Sequence, residues 1–352
     1  MKLTLKELRR HAINVSLFRP TSLGQAVQRL GFVQADPIRS PARAQDLILR
    51  HRVKNYHAGD LETRYPSLGL EEDVLYAYGF MPESTWRLLH PRLEAKLTPA
   101  EQRVVEIVSA HNQIHPRELE AYLGREREIN AWGGYSKATT RTLQALHYRG
   151  LLRIARRENG IRLYELTSRK PALIEPAERL REIVLLIARI LGPLSERSLQ
   201  AVLLQVSRAA PGLRRCWPEV KKLIHSGELT SAVVDEVRYV QPPGRLARTR
   251  VEEKVRFLAP FDPVVWDRRR FEHFWGWAYR FEAYTPPSKR KLGYYAMPVL
   301  WRDDVVGWIN IARETGGLKF ETGFAKHKPR ERSFKAEFED EVERFRSFLP
   351  VR

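Results

Sequence analysis

The sequence holds a single cysteine, Cys216. One thiol excludes an internal disulfide and any cysteine-based zinc site, and the neighbours Trp217 and Pro218 mark it as a small buried apolar residue. Long apolar runs are also missing. The best candidate, Ile183 to Leu191, is cut by Arg189 and falls far short of the roughly 20 residues a membrane helix needs. The N-terminus, Met1-Lys2-Leu3-Thr4-Leu5-Lys6-Glu7, is charged and amphipathic with no signal-peptide core, so a cytoplasmic protein is expected. There is no G-x-x-x-x-G-K-S/T loop, no G-x-G-x-x-G after a strand and no G-x-S-x-G, which argues against nucleotide hydrolysis, dinucleotide chemistry and serine esterase chemistry. His51, His57, His111, His115 and His147 are scattered without ligand spacing, so neither a metal nor a cofactor is expected. The last scarcity is acidic charge: 42 Asp and Glu stand against 61 Lys and Arg, a formal net charge of +19. Hydrophobic residues at 43% put that excess on folded structure rather than on a disordered tail. It points to a polyanionic partner.

A chain of 352 residues is too long for one hydrophobic core. The clearest unit starts at Thr98-Pro99-Ala100-Glu101, a cap, a first-turn proline and a carboxylate that bonds back. A second helix opens at Pro116 and stops at Gly124. A third, Lys137 to Tyr148 behind Ser136, stops at Gly150. Strands Leu151 to Arg157 and Ile161 to Leu166 follow, joined by Asn159-Gly160, which favours positive backbone angles. Three helices and a hairpin make a winged helix. A similar order recurs from Glu178 to Val240, with a cap at Ser195. It recurs again at the N-terminus, with a Thr4–Glu7 capping box, a helix to about Phe18, another from Ser22 to Leu30 and a third after Ser40-Pro41. Beyond Gln241-Pro242-Pro243-Gly244, runs at Arg256 to Phe261, Tyr279 to Tyr284, Leu292 to Trp301 and Val305 to Ala312 read as strands, closed by a helix from about Ser333 to Phe348. The expected class is α+β: tandem winged-helix domains followed by a β-barrel-like C-terminal domain, divided as 1–96, 97–170, 171–243 and 244–352.

Cations gather on the expected third helices and hairpins, Arg39, Arg43, Arg50 and Arg52 in the first unit and Lys137, Arg141, Arg149, Arg153, Arg156 and Arg157 in the second. Of these, Arg39, Arg43, Arg50, Lys137, Arg141 and Arg153 are the candidate contacts to duplex phosphates, the alternative being a solvated basic face. Arg268, Arg269 and Arg270 read as a phosphate clamp or as a solvated turn. Trp266, Trp275, Trp277, Tyr294 and Tyr295 read as core of the β-rich part. In Leu30-Gly31-Phe32-Val33-Gln34-Ala35-Asp36-Pro37-Ile38, Gln34 and Asp36 are polar groups at alternate positions of an apolar run, so in an extended segment they point the same way. Such an amide and carboxylate can orient a water and stabilise positive charge developing on a sugar. The alternative is that Asp36, before Pro37, only caps a turn. The chain would then be a non-catalytic DNA-binding regulator or architectural protein, dimeric on a palindrome; RNA as the partner is disfavoured without an aromatic RNP-type sheet.

The same run, with Ala42-Arg43-Ala44-Gln45-Asp46-Leu47, resembles the signature of the AlkZ/YcaQ-type winged-helix DNA glycosylases. The blocks Gly79-Phe80-Met81-Pro82, Pro260-Phe261-Asp262-Pro263-Val264-Val265-Trp266-Asp267-Arg268-Arg269, Phe281-Glu282-Ala283-Tyr284, Lys289-Arg290 and Gly293-Tyr294-Tyr295 extend the resemblance over nearly the whole chain. The resemblance implies tandem winged helices on a C-terminal β-barrel and excision of bulky N-alkylated purines, including the bases of interstrand crosslinks. By residue match, the family's Gln-x-Asp motif, that of the crosslink-unhooking YcaQ branch, falls on Gln34 and Asp36. The sequence departs from that branch at Leu75-Tyr76-Ala77-Tyr78, where Tyr76 stands in place of a histidine. The implied enzyme is a monofunctional, cofactor-independent monomer of base excision repair, associated with the nucleoid, whose partner is double-stranded DNA containing alkylated bases.

Overall fold

The computed structural model describes residues 3–92, 96–124, 127–129, 135–170, 174–213, 216–244, 251–315, 317–325 and 327–349, the side chains of 127–129 and 135–137 excepted. Helix α1 (Leu5–Ser16) opens on the Thr4–Glu7 capping box, with both reciprocal bonds formed. After it one arrangement appears three times. The first instance runs α2 (Leu23–Leu30), β1 (Val33–Gln34), α3 (Ala44–Leu49), α4 (Asp60–Arg64), β2 (Leu70–Val74) and β3 (Tyr78–Pro82). Helix α5 (Glu83–Leu89) leads to the second: α6 (Pro99–His111), β4 (Gln113–Ile114), α7 (Pro116–Leu123), a small strand pair β5 (Arg127–Ile129) and β6 (Tyr135–Lys137), then α8 (Ala138–Tyr148), β7 (Leu152–Glu158) and β8 (Ile161–Leu166). The third is α9 (Pro176–Leu191), β9 (Leu194–Ser195), α10 (Glu196–Ala209), α11 (Cys216–Ser226), β10 (Thr230–Val234) and β11 (Val237–Gln241). In every instance the two-residue first strand pairs antiparallel with the last, which pairs with the middle one, giving β1-β3-β2, β4-β8-β7 and β9-β11-β10.

Local sequence explains these starts and stops. Thr98 and Glu101 form their capping box, Ser195 accepts from the Ser198 amide, and Asn159 and Gly160 both take positive φ at the β7–β8 turn. Two expectations shift. The first repeat begins at α2, not at α1. Helix α1 lies outside it, packing Leu8, Ala12, Ile13 and Leu17 with Leu258, Val264, Val265 and Phe271. Its arginines bind the same region, Arg10 to Asp303 at 2.6 Å and Arg9 to the Phe274 carbonyl at 3.2 Å. Ser136 and Lys137 belong to β6 rather than to the start of α8; the Lys137 side chain lies outside the described residues.

The C-terminal part comprises β12 (Val255–Phe257), α12 (Arg268–Trp275), β13 (Met297–Trp301), β14 (Asp304–Glu314), β15 (Gly317–Phe324) and α13 (Arg332–Phe348). Its sheet, β12-β13-β14-β15, is an open antiparallel layer, so the expected barrel does not close among the described residues. Helix α13 joins it through Phe334, Phe338 and Phe345, which meet Trp301 and Phe257 rings. The aromatic run at 279–284 is not a strand. Tyr279 donates its phenol to the Ala296 carbonyl at 2.7 Å, and Phe281 is wedged between Phe261 and Tyr295, so this segment is held by its rings rather than by a ladder.

Charge joins the first and second repeats. Three consecutive residues of β2, Glu71, Glu72 and Asp73, are each about 1% exposed. Glu71 holds Arg153 and Arg169, Glu72 holds Arg157 and the Tyr78 hydroxyl, and Asp73 holds Arg92 and His90. Burial alone would raise Glu72, but the hydrogen bond and charge of Arg157 outweigh it and keep the carboxyl below its usual range. Among the described residues no helix is long and apolar enough to cross a membrane.

Candidate active site

Strand β1 runs so close to β3 that residue 79 has room for glycine alone: a Cβ there would sit 2.3 Å from the Val33 carbonyl and 2.6 Å from the Phe32 ring. Gln34 pairs with Gly79, and the Ala35 amide donates to the Tyr78 carbonyl at 2.9 Å. Asp36 then leaves the strand. Its Oδ1 accepts from the Ile38 amide at 2.9 Å, folding the chain over Pro37. The turn-capping role is therefore real, yet it occupies one carboxylate oxygen and caps this turn rather than helix α3.

Both side chains face the C-terminal part. The indole Nε1 of Trp266 donates to Gln34 Oε1 at 3.0 Å. An indole only donates, so this contact sets the amide orientation and leaves Gln34 its NH2 to offer. Trp266 is held in turn: its amide donates to the Asp262 carbonyl at 2.8 Å, and its ring meets Tyr76, which meets Phe32, at centroid distances of 5.1 and 4.9 Å. Tyr76, the residue that departs from the resembled branch, is thus a buried prop beneath Trp266, and burial pushes its phenol far up.

Asp36 is half-buried, and burial raises its carboxyl above the ordinary range against the partial relief of the Ile38 amide. Among the described residues it makes no ion pair. Its charge reaches two tyrosines of the C-terminal part: burial first and Asp36 second push up the phenol of Tyr295, and Tyr284, although largely exposed, is raised by slight desolvation and then by Asp36. Tyr295 is 2% exposed and its hydroxyl has no hydrogen-bond partner among the described residues. The Phe281 ring links the two, 5.1 Å from Tyr295 and 6.1 Å from Tyr284.

The expected cationic contacts divide. Arg39 is exposed, and its guanidinium and that of Arg43 converge on Gly160, where a Cβ would lie 3.9 and 3.5 Å from them. Arg43 also pairs with Glu62, and burial, then Arg39 and Arg157, lower its pKa. The hairpin turn of the second repeat is thereby brought beside the segment that carries Asp36. Arg141 is exposed on α8. Arg50 and Arg153 are engaged within the chain. Arg50, with a 4% exposed side chain, binds Glu341 at 2.7 Å and stacks on Phe345; Arg153 is taken by Glu71 and Glu165. Both are spent on the chain's own carboxylates. Arg268 and Arg270 form neither a clamp nor a solvated turn: they are the start of α12, capped by Asp267, and donate to buried carbonyls at Pro260 and Val264 among others. Sequence reasoning missed Trp266 as the holder of Gln34, and Tyr284 and Tyr295 as neighbours of Asp36. The only signal for them was their place in conspicuous aromatic blocks. Among the described residues no three His, Cys, Asp or Glu side chains gather as a metal site.

What converges is an amide with a fixed orientation and a carboxylate that has no counter-cation among the described residues, walled by aromatic rings and bordered by arginines, a set suited to stabilising positive charge on a substrate. The sequence model of the family DNA glycosylase AlkZ-like matches residues 27–348, which include every one of these groups. The chain belongs to the AlkZ-like DNA glycosylase family, enzymes of DNA repair that act on DNA. Its fold is similar to that of the DNA glycosylase AlkZ of Streptomyces sahachiroi, with a TM-score of 0.65 and 17% identity over 100% of both chains.

Proposed function

We propose that this glycosylase hydrolyses the N-glycosidic bond of cationic N-alkylated purines of the N7-alkylguanine type in duplex DNA, and unhooks interstrand crosslinks formed through such bases. It acts as a monofunctional, cofactor-free monomer of base excision repair in the cytoplasm. Asp36 and Gln34 are its catalytic residues. The observation that carries this reading is the half-buried Asp36 carboxylate, which pairs with no cation among the described residues. A protein tolerates an uncompensated, partly desolvated anion poorly, and the partner that completes it is a cation appearing during reaction. Alkylation at N7 already makes the purine cationic, so the bond breaks with both electrons passing to N9 and the base departs neutral. No general acid is needed on that side. The sugar is left as an oxocarbenium ion, which Asp36 stabilises. The attacking water joins C1′ and yields its proton toward Asp36, while the Gln34 amide holds the water or the carboxylate. The threefold helix-strand-helix-helix-hairpin order supports tandem winged helices, with units 97–170 and 171–243 as the clearest and 244–352 as their scaffold. The cluster of Arg39 and Arg43 with the Gly160 turn supports backbone contacts near the lesion, with Arg141 and Lys137 further along the second unit.

The test is release of free base from a duplex carrying N7-methylguanine and from an N7-linked crosslink, with undamaged duplex as control. Release from the damaged duplexes alone is expected. Tight binding without release from any lesion would instead support the regulator reading, for which the Asp36–Ile38 turn is the structural argument.

Two variants probe parts of the site. Trp266→Phe keeps a ring over Tyr76 but removes the donor to Gln34, and single-turnover release should slow about tenfold, the value of one hydrogen bond that orients a catalytic group, with the melting temperature little changed. Arg39→Gln should weaken binding equally for all sequences and reduce the magnitude of the slope of log K against log salt by about 0.9, one phosphate contact. A slope equal to that of wild type would remove Arg39 from the interface.

A further inference from the structure

The loop from Phe281 to Tyr295 carries two tyrosines, Tyr284 and Tyr295, that feel the Asp36 charge and that the proposed chemistry leaves unused. Its tip carries Tyr284, 76% exposed, and its returning leg carries Tyr294, 42% exposed. The loop that carries them is pinned. The Glu282 carboxylate, itself 9% exposed, accepts from the backbone amides of Lys291 and Leu292 at 2.8 and 2.7 Å, tying the two legs together. Arg290 donates from Nε to the Thr285 carbonyl at 2.8 Å and lies over the Tyr294 ring at 5.0 Å. Beneath, Asn310 donates to the Leu292 carbonyl at 2.6 Å, and Phe281 anchors the outgoing leg against Phe261. A buried carboxylate, an amide and an aromatic anchor thus fix both legs of the loop whose tip bears the exposed Tyr284 ring. Lys289 and Lys291 stand exposed beside it.

We infer that this loop is the element that reads the opened duplex: Tyr284 stacks on an unpaired nucleobase at the lesion, and Lys289 and Lys291 hold the phosphates that flank it. The inference rests on the proposed glycosylase reading, since it needs a base displaced from its stack beside Asp36. A phenol ring is a sequence-tolerant stacking platform, because every base has a π-face. A pinned loop supplies it without an ordering cost at each encounter.

The experiment compares wild type, Tyr284→Ala and Tyr284→Phe on an intact duplex and on a duplex holding a tetrahydrofuran abasic analogue, whose opposite base is unpaired. The Ala variant should bind the abasic duplex about tenfold more weakly while binding the intact duplex as wild type does, and the Phe variant should match wild type on both. 5-Iodouracil opposite the analogue should photocrosslink to Tyr284 in wild type. Equal loss on both duplexes, no loss on either, or a crosslink that maps elsewhere would overturn the stacking role. Release of N7-methylguanine is followed in the same preparations. A wild-type protein that releases no base refutes the glycosylase reading, whereas release by wild type together with unchanged abasic binding by Tyr284→Ala refutes the loop assignment alone. The exposure of Tyr284 means that removing its ring takes nothing from the core, and a melting curve checks this.

Discussion

Asp36→Asn is expected to slow base release from an N7-methylguanine duplex by about a hundredfold or more while affinity for that duplex stays within a few-fold. The asparagine oxygen can still accept from the Ile38 amide, so the turn over Pro37 survives and only the charge is removed. A fall in rate at constant affinity is the signature of an interaction made in the transition state alone. A second signature is pH. Burial raises the Asp36 carboxyl above the ordinary carboxylate range, and the reaction needs the ionised form. The wild-type rate should therefore fall as pH drops through that raised value, at a higher pH than an ordinary aspartate would give, and stay flat above it. Asp36→Asn should show no such limb. A wild-type profile without an acid limb, or a variant that releases base at the wild-type rate, would take Asp36 out of the chemistry.

The largest loss of stability is expected from Asp262→Ala, about 3–5 kcal/mol by urea unfolding, the usual result of stranding a buried charge. The Arg52 guanidinium is fully buried, and Asp262 receives it through two parallel bonds of 2.8 and 3.0 Å. Arg52 also donates to the Ser16 carbonyl and hydroxyl at 2.8 and 2.9 Å, so the pair ties the end of α1, the segment after α3 and the C-terminal part together. The same aspartate accepts from the Val264 amide at 3.0 Å, and its carbonyl accepts from the Trp266 amide, which positions the indole over Gln34. Asp262→Ala should consequently also slow base release in the fraction that remains folded. The double variant Arg52→Met with Asp262→Leu should recover most of the stability, because replacing both members of a buried pair by apolar groups is often neutral. A single variant within about 1 kcal/mol of wild type would mean that water enters and solvates Arg52.

Local chemistry was legible in the sequence. Thr4 with Glu7, Thr98 with Glu101, Ser195 and Asn159-Gly160 each declared a helix start or a turn, because a cap or a positive φ is decided within three or four residues of chain. The Gln34-x-Asp36 alternation was legible for the same reason, and membership of a glycosylase family was legible through short blocks along the chain that resemble that family's. The aromatic run at 279–284 misled, since rings that anchor a loop and rings that line a strand have the same composition; what separates them is the site that Phe261, Tyr295 and Ala296 provide from elsewhere.

Alone, then, the sequence determined the caps and turns, the recurring order of elements, the basic charge and the pair of polar residues at the end of β1. Only the tertiary structure decided which charges were left over for a partner. Arg50 and Arg153 look no different from Arg39 in sequence, but the buried carboxylates of Glu341 and Glu71 that hold them lie 291 and 82 residues away, and burial beside them makes those pairs internal. Likewise, nothing near Gln34 specifies the donor that orients it, which arrives from Trp266, 232 residues distant. Hydrogen bonds and ion pairs act over a few ångströms of space, whatever the length of chain between their partners, so only the folded molecule could assign them.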